Sequence, residues 1–205
     1  MKIHNLFPTP VYEHEGTIEE TFLVQDEIRK KLDSIREADS FENPIGWGDG
    51  VQTNIKKRIN TIHDFELVHL KKYINKHVVK YVEMIGAFMP VPIMMAHSWV
   101  NITEKGQYQN WHQHRDSTIS GCYYYQTSGE DGDITFETPV PYVNLEIFPA
   151  GGHCVRHEAF KPKVGKLFLF PGWLNHRVGV NNTDTPRISF AFNFLRDHFY
   201  NKPRD

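Results

Sequence analysis

A chain of 205 residues with 40% hydrophobic and 23% charged side chains and a formal net charge of −2 can bury a real core, and reads as one globular domain over 1–205. The basic runs Lys56-Lys57-Arg58 and Lys71-Lys72 are too short for a nucleic-acid footprint, and Cys122 and Cys154 make no disulfide framework. No run reaches the length of a membrane span, and the start lacks an apolar stretch with a cleavage site, so a cytoplasmic protein without glycans at the Asn101 and Asn181 sequons is expected.

Residues 1–16 read as an extended lead-in in which Val11-Tyr12 forms an edge strand. Thr17-Ile18-Glu19-Glu20 is a capping box, and a helix follows to about Ala38 with an apolar stripe of Phe22, Ile28, Leu32 and Ile35. Residues 39–60 are loop-like, broken by Asn43-Pro44 and by Gly46-Trp47-Gly48-Asp49-Gly50. A tryptophan in such a loop serves as a packing plug or as a lid over a site, which makes Trp47 a candidate substrate lid. Thr61 with Asp64 marks a second helix start. Leu67, Leu70, Ile74, Val78, Tyr81, Val82 and Ile85 recur at 3-4 spacing, with Gly86 as the stop. His69 and His77 are expected at the surface or boundary of that helix, not as ligands.

After Pro90 the period changes to two. Strands are predicted over 93–102, through His112, and over 118–126, 134–137, 142–148, 166–170, 177–180 and 188–195, with turns at Gly129–Gly132, Pro149–Gly152 and Asn181–Asp184. The period puts Trp99 and Asn101 on one face, and Ser120, Cys122 and Tyr124 on another. Residues 1–90 thus form a helical lead-in and 91–200 a β core. The pattern is mainly β with α: a sandwich or jelly roll with the helices stacked on one sheet. The 13% aromatic content suits that class. His153, Cys154 and His157 are expected to be loop residues, since a structural zinc takes four ligands and no second pair lies nearby.

The chemistry is expected around Asn110-Trp111-His112-Gln113-His114-Arg115-Asp116. Residues i and i+2 of an extended segment share a face, so His112 and His114 can aim at one point, and so can His114 and Asp116. His176 follows the apolar run Leu167-Phe168-Leu169-Phe170 and supplies a remote third ligand. Two close ligands plus one remote describe a facial site with open positions, as in non-haem Fe(II) oxygenases. Twelve histidines make chance pairs common, so exposed or core histidines are the alternative to a metal site. Arg187 and Ser189 share a face near the start of the last strand, and a guanidinium beside a hydroxyl suits a carboxylate. A salt bridge within the chain is the alternative.

The residues Leu6-Phe7-Pro8-Thr9-Pro10-Val11, Trp99-Val100-Asn101, Gln109 through His114, Ser117, Ser120-Gly121-Cys122-Tyr123-Tyr124, Gly165 through Pro171, His176 and Arg187-Ile188-Ser189 resemble a known family. It is the Fe(II)- and 2-oxoglutarate-dependent oxygenases, in a bacterial and phage branch related to prolyl hydroxylases. The resemblance implies a double-stranded β-helix (jelly roll, cupin-like). It implies Fe(II) and 2-oxoglutarate as cofactors, and hydroxylation of a C–H bond by O2 with release of succinate and CO2. It implies metal ligation by His112 and His176. Arg187 and Ser189 would grip the distal carboxylate of 2-oxoglutarate, with Tyr124 adding a phenol and Asn101 touching the cosubstrate or a ligand. The common pattern of the superfamily is His-x-Asp or His-x-Glu, and here His114 stands two after His112. The branch's His-x-His favours His112, His114 and His176, with Asp116 in reserve. The substrate expected is a small molecule or a peptide; oligomeric state is open. A cupin-type metalloenzyme without a keto acid and a non-enzymatic jelly-roll binding module are the alternatives.

Overall fold

The computed structural model describes residues 8–47, 50–57, 59–87, 92–114, 116–140 and 156–196. The expected strand at 142–148, the turn Pro149–Gly152, the residues His153 and Cys154, and the Leu6-Phe7 part of the family motif lie outside the described residues.

Helix α1 spans Ile18–Ala38 and starts where the capping box requires. The Thr17 hydroxyl accepts from the Glu20 N–H, and the Glu20 carboxylate accepts from the Thr17 N–H, both at 3.2 Å. Its buried face is Thr21, Val24, Ile28, Leu32 and Ile35. Phe22, expected in that stripe, is 62% exposed. The reason is the helical period: a face through Ile28 and Ile35 passes through Thr21, which leaves Phe22 about 100° away.

The second helical region divides in two. A single turn, α2 (Thr61–Asp64), is capped by the Asn60 side chain, and a positive φ of 49° at Glu66 separates it from α3 (Val68–Met84). Helix α3 has no cap of its own. The Glu27 carboxylate of α1 accepts from the His69 and Leu70 N–H groups at 2.9–3.0 Å instead, so a tertiary contact starts this helix. The buried face is Leu70, Tyr73, Ile74, His77, Val78 and Tyr81. His69 is exposed, but His77, expected at the boundary, is fully buried and bonded through Nδ1 to the Tyr12 hydroxyl at 2.7 Å. It occupies the same stripe as Tyr73 and Tyr81, where a neutral imidazole packs like an aromatic. Ile85 is 40% exposed at the helix end, followed by Gly86 at φ 64°.

The strands are β1 (Tyr12–Glu15), β2 (Gln52–Thr53), β3 (Ile93–Thr103), β4 (Gln109–His112), β5 (Ile119–Gln126), β6 (Ile134–Glu137), β7 (His157–Phe160), β8 (Lys166–Pro171), β9 (His176–Val178) and β10 (Arg187–Arg196). They form two antiparallel sheets, β1-β8-β5-β10-β3-β2 and β4-β9-β6-β7. His157, expected in a loop, opens β7 and pairs with Glu137. This edge strand buries only part of Phe160, so it carries no apolar alternation for a sequence reading to find.

The two faces of the larger sheet have different cores. Val100, Ile102, Tyr123, Leu167, Leu169, Ile188, Phe190 and Phe192 pack under α1 and α3. Tyr124, Ile134, Phe136, Phe168, Phe170 and Leu174 fill the space between the sheets. This is the jelly-roll arrangement, with helices stacked on one sheet. No helix among the described residues is long and apolar enough to cross a membrane.

Candidate active site

Antiparallel pairing places His112 of β4 directly opposite His176 of β9. The chain leaves β4 after His112, and the His114 N–H donates to the Gly172 carbonyl at 2.7 Å, which folds His114 back toward the same point. One ring nitrogen from each of His112, His114 and His176 then lies within 4.8 Å of the others. The ring centroids of His112 and His176 are 4.1 Å apart, and those of His114 and His176 5.2 Å.

Two of the rings have their tautomer set by the backbone. His112 Nδ1 donates to the Asn110 carbonyl at 2.7 Å, and His176 Nδ1 to the Leu174 carbonyl at 2.9 Å. A carbonyl only accepts, so Nδ1 carries the proton and Nε2 presents a lone pair. The indoles of Trp47 and Trp99 stack on His112 and His114, at 6.1 and 5.6 Å. Burial holds all three histidines below the usual imidazole range, His114 down to about 3 and His176 well below it; His112 further disfavours charge on His114, and both disfavour it on His176. Three neutral, converging imidazoles form a donor set able to hold a divalent cation with positions left open. Asp116 is exposed and stands outside this group.

The rings line a partly open pocket between the two sheets. Arg187 lies in the same pocket and is 3% exposed. Register explains its company: Arg187 pairs with Thr103, Ser189 with Asn101 and Ala191 with Trp99, so alternate residues of β10 and β3 face the cavity together. The guanidinium donates from Nη1 to the carbonyls of Asp131 and Gly132, and from Nη2 to Thr103 Oγ1 at 3.2 Å. Those three bonds leave two of its five N–H groups, on Nε and Nη2, for a ligand. Among the described residues no carboxylate comes within ion-pair distance of Arg187, which disfavours the internal salt bridge. A buried cation held in this way matches an anionic ligand in the pocket.

Tyr124, Asn101 and Ser189 also line the cavity. Burial pushes the Tyr124 phenol well above its ordinary pKa and the Cys122 thiol up to about 12, so both stay protonated. Asn101 Oδ1 and Trp99 Nε1 are buried without a hydrogen-bond partner. The sequence reading missed Thr103, Asp131 and Gly132, which orient the guanidinium. Thr103 carried a signal, the period-two continuation of Trp99 and Asn101. The two carbonyls carried none, because backbone groups have no residue type. Trp47 borders the site, with its carbonyl accepting from the Asn110 N–H at 2.7 Å.

Residues 97–193 match the model of a family described as "Putative 2OG-Fe(II) oxygenase". A comparison with curated protein sequences gave no match. Among solved structures, the chain is similar to a Pseudomonas putida prolyl-4-hydroxylase at TM-score 0.65 and 12% identity, covering 92% of this chain and 94% of that one. It is similar to the non-heme alpha ketoglutarate dependent epimerase SnoN of nogalamycin biosynthesis at 0.63 and 14%, covering 92% and 78%. It is similar also to HygX of Streptomyces hygroscopicus, solved with nickel and 2-oxoglutarate, at 0.59 and 11%, covering 93% and 84%. The matched segment, just under half of the chain, holds all three histidines and Arg187, and it is similar to the 2-oxoglutarate- and Fe(II)-dependent oxygenases, whose cofactors are Fe(II) and 2-oxoglutarate.

Proposed function

We propose that the protein hydroxylates a C–H bond of a small-molecule or peptidyl substrate, with His112, His114 and His176 as the Fe(II) ligands. Arg187 and Ser189 grip the distal carboxylate of 2-oxoglutarate, Tyr124 adds its phenol, and Asn101 completes that wall. The observation that carries this reading is the buried Arg187, with two N–H groups to spare, in one pocket with three converging imidazoles.

Fe(II) with 2-oxoglutarate supplies the activation of O2, coupled to decarboxylation of the keto acid to succinate and CO2. The chain's own part is positioning. Nδ1–H bonds to Asn110 and Leu174 hold two ligand rings in the tautomer that ligates. The guanidinium, itself held by Thr103 and two carbonyls, fixes how far the keto acid extends from the histidines. Ile134, Phe170 and Val178 give that end of the pocket apolar walls that exclude water. Trp47, in its loop beside His112, acts as part of the lid over the substrate.

The test is anaerobic titration of Fe(II)-loaded protein with 2-oxoglutarate, following the visible charge-transfer band of the chelate. A band in the wild type that Arg187→Ala weakens supports the assignment. Iron bound without a band points to a metalloenzyme that needs no keto acid, and no iron bound points to a binding module.

A further inference from the structure

We propose that Trp99 is a second anchor for the keto acid: its indole N–H donates to the carboxylate beside the ketone, at the histidine end of the pocket. The inference rests on the function assigned above. The observation is a donor with nothing to serve. Trp99 lines the pocket and is 2% exposed, and its Nε1 has no hydrogen-bond partner among the described residues. A buried tryptophan N–H ordinarily finds an acceptor, and leaving it without one is costly.

Register fixes where that donor stands. Thr103, Asn101 and Trp99 alternate along the pocket face of β3, paired with Arg187, Ser189 and Ala191 of β10. Thr103 marks the Arg187 end, where its hydroxyl accepts from Nη2. Trp99 marks the histidine end, stacked on His114 at 5.6 Å with an interplanar angle of 22°. Ala191, its partner across the ladder, brings no polar side-chain atom. The Nδ1–H groups of His112 and His176 are already spent on the Asn110 and Leu174 carbonyls. The indole N–H is not spent, and it calls for an acceptor. The other unpartnered atom on this face, Asn101 Oδ1, is itself an acceptor and offers a carboxylate nothing. 2-Oxoglutarate brings acceptors only: a carboxylate at each end and a ketone beside one of them. With the distal carboxylate on Arg187, the other end extends toward the histidines, where the Trp99 N–H has a charged oxygen to serve. Anchors at both ends set the orientation of the keto acid as well as its reach.

The experiment measures ligand affinity rather than turnover, in anaerobic protein saturated with Fe(II). The probes are 2-oxoglutarate and levulinate, which keeps the ketone and the distal carboxylate but carries a methyl group in place of the carboxylate beside the ketone. Wild type is compared with Trp99→Phe and with benzothienylalanine placed at position 99, which has sulfur where the N–H stands and keeps the bicyclic ring. Affinity for 2-oxoglutarate is read by calorimetric titration and affinity for levulinate by competition. Both changes are expected to weaken 2-oxoglutarate by about tenfold or more, the worth of a hydrogen bond to a charged group, and to leave levulinate within about twofold of wild type. Arg187→Met, by contrast, weakens both ligands. The proposal is overturned if the sulfur analogue binds 2-oxoglutarate as wild type does, the result expected of an N–H that serves only the Trp47 ring or the prime substrate. It is overturned also if levulinate weakens as much as 2-oxoglutarate. The sulfur analogue preserves the packing of the ring, so the test stands if Trp99→Phe does not fold. Wild-type protein that binds no 2-oxoglutarate overturns the assigned function together with this anchor; wild-type binding with an unaffected variant overturns the anchor alone.

Discussion

Replacing Arg187 by Met removes a buried cation while keeping much of its length. In the structure Nη1 serves the Asp131 and Gly132 carbonyls and Nη2 serves Thr103, so two N–H groups remain for a carboxylate. Each hydrogen bond to a charged partner contributes about 1.5–3 kcal/mol, so losing two costs about 3 kcal/mol or more, on the order of a 100-fold weaker 2-oxoglutarate affinity. The same change leaves two carbonyls and a hydroxyl without their donor, so the protein also loses stability, by about 1–3 kcal/mol for each group that finds no water. The assay is therefore paired. Anaerobic titration with 2-oxoglutarate gives affinity, and a denaturant curve at the same temperature gives stability. Metal binding, which depends on the histidines, is expected to change little. Arg187→Lys keeps the charge but not the planar fork, and should fall between the two. Wild-type affinity for 2-oxoglutarate in folded Arg187→Met protein would refute the reasoning.

Other outcomes follow from the same geometry. Metal added at about 100 times its dissociation constant should raise stability by about 2.7 kcal/mol in thermal or denaturant melts, an increment that chelator reverses and His176→Ala abolishes. Trp47→Ala removes the ring stacked on His112 but leaves the backbone bond to Asn110, so metal affinity measured by titration should fall by less than about tenfold. Gly132→Ala places a Cβ 2.2 Å from the Gly179 carbonyl oxygen at a φ of 101°, and Gly121→Ala one 2.4 Å from that of Phe168. Each should destabilise by about 3 kcal/mol in denaturant curves, and the first should also disturb 2-oxoglutarate binding, since that Cβ lies 2.9 Å from Arg187 Nη1.

His77 makes stability depend on pH. Burial lowers its pKa to about 4 from an ordinary 6.5. The unfolded chain therefore takes up the proton first as pH falls. Full stability is present above about 6.5 and is lost as pH falls through the folded value, by roughly 3 kcal/mol in all. In denaturant curves from pH 7 to 4, the gap between wild type and His77→Gln should narrow toward the acid end; a constant gap would count against the assignment.

Much of the molecule was readable from local pattern. The capping box marked the start of α1, and the 3-4 and period-two spacings separated helices from strands, because both signals are held within a few neighbouring residues. The family resemblance pointed to the region that the family match covers. Other features lay beyond such reading. Phe22 faces solvent because helix phase is set by the face that packs on the sheet. Helix α3 begins on a carboxylate from α1. Strand β7 is an edge with little to bury.

The site divides in the same way. The sequence by itself held the residue types and spacing: His112 with His114, a remote His176, and Arg187 with Ser189. Only the tertiary structure set His112 opposite His176, turned His114 back through Gly172, left Asp116 in solvent, and joined Arg187 to Thr103 and the carbonyls of Asp131 and Gly132. Convergence of side chains from β4, β9, β3 and β10 depends on strand register, and register is decided by pairing and burial across the whole sheet rather than by any one segment.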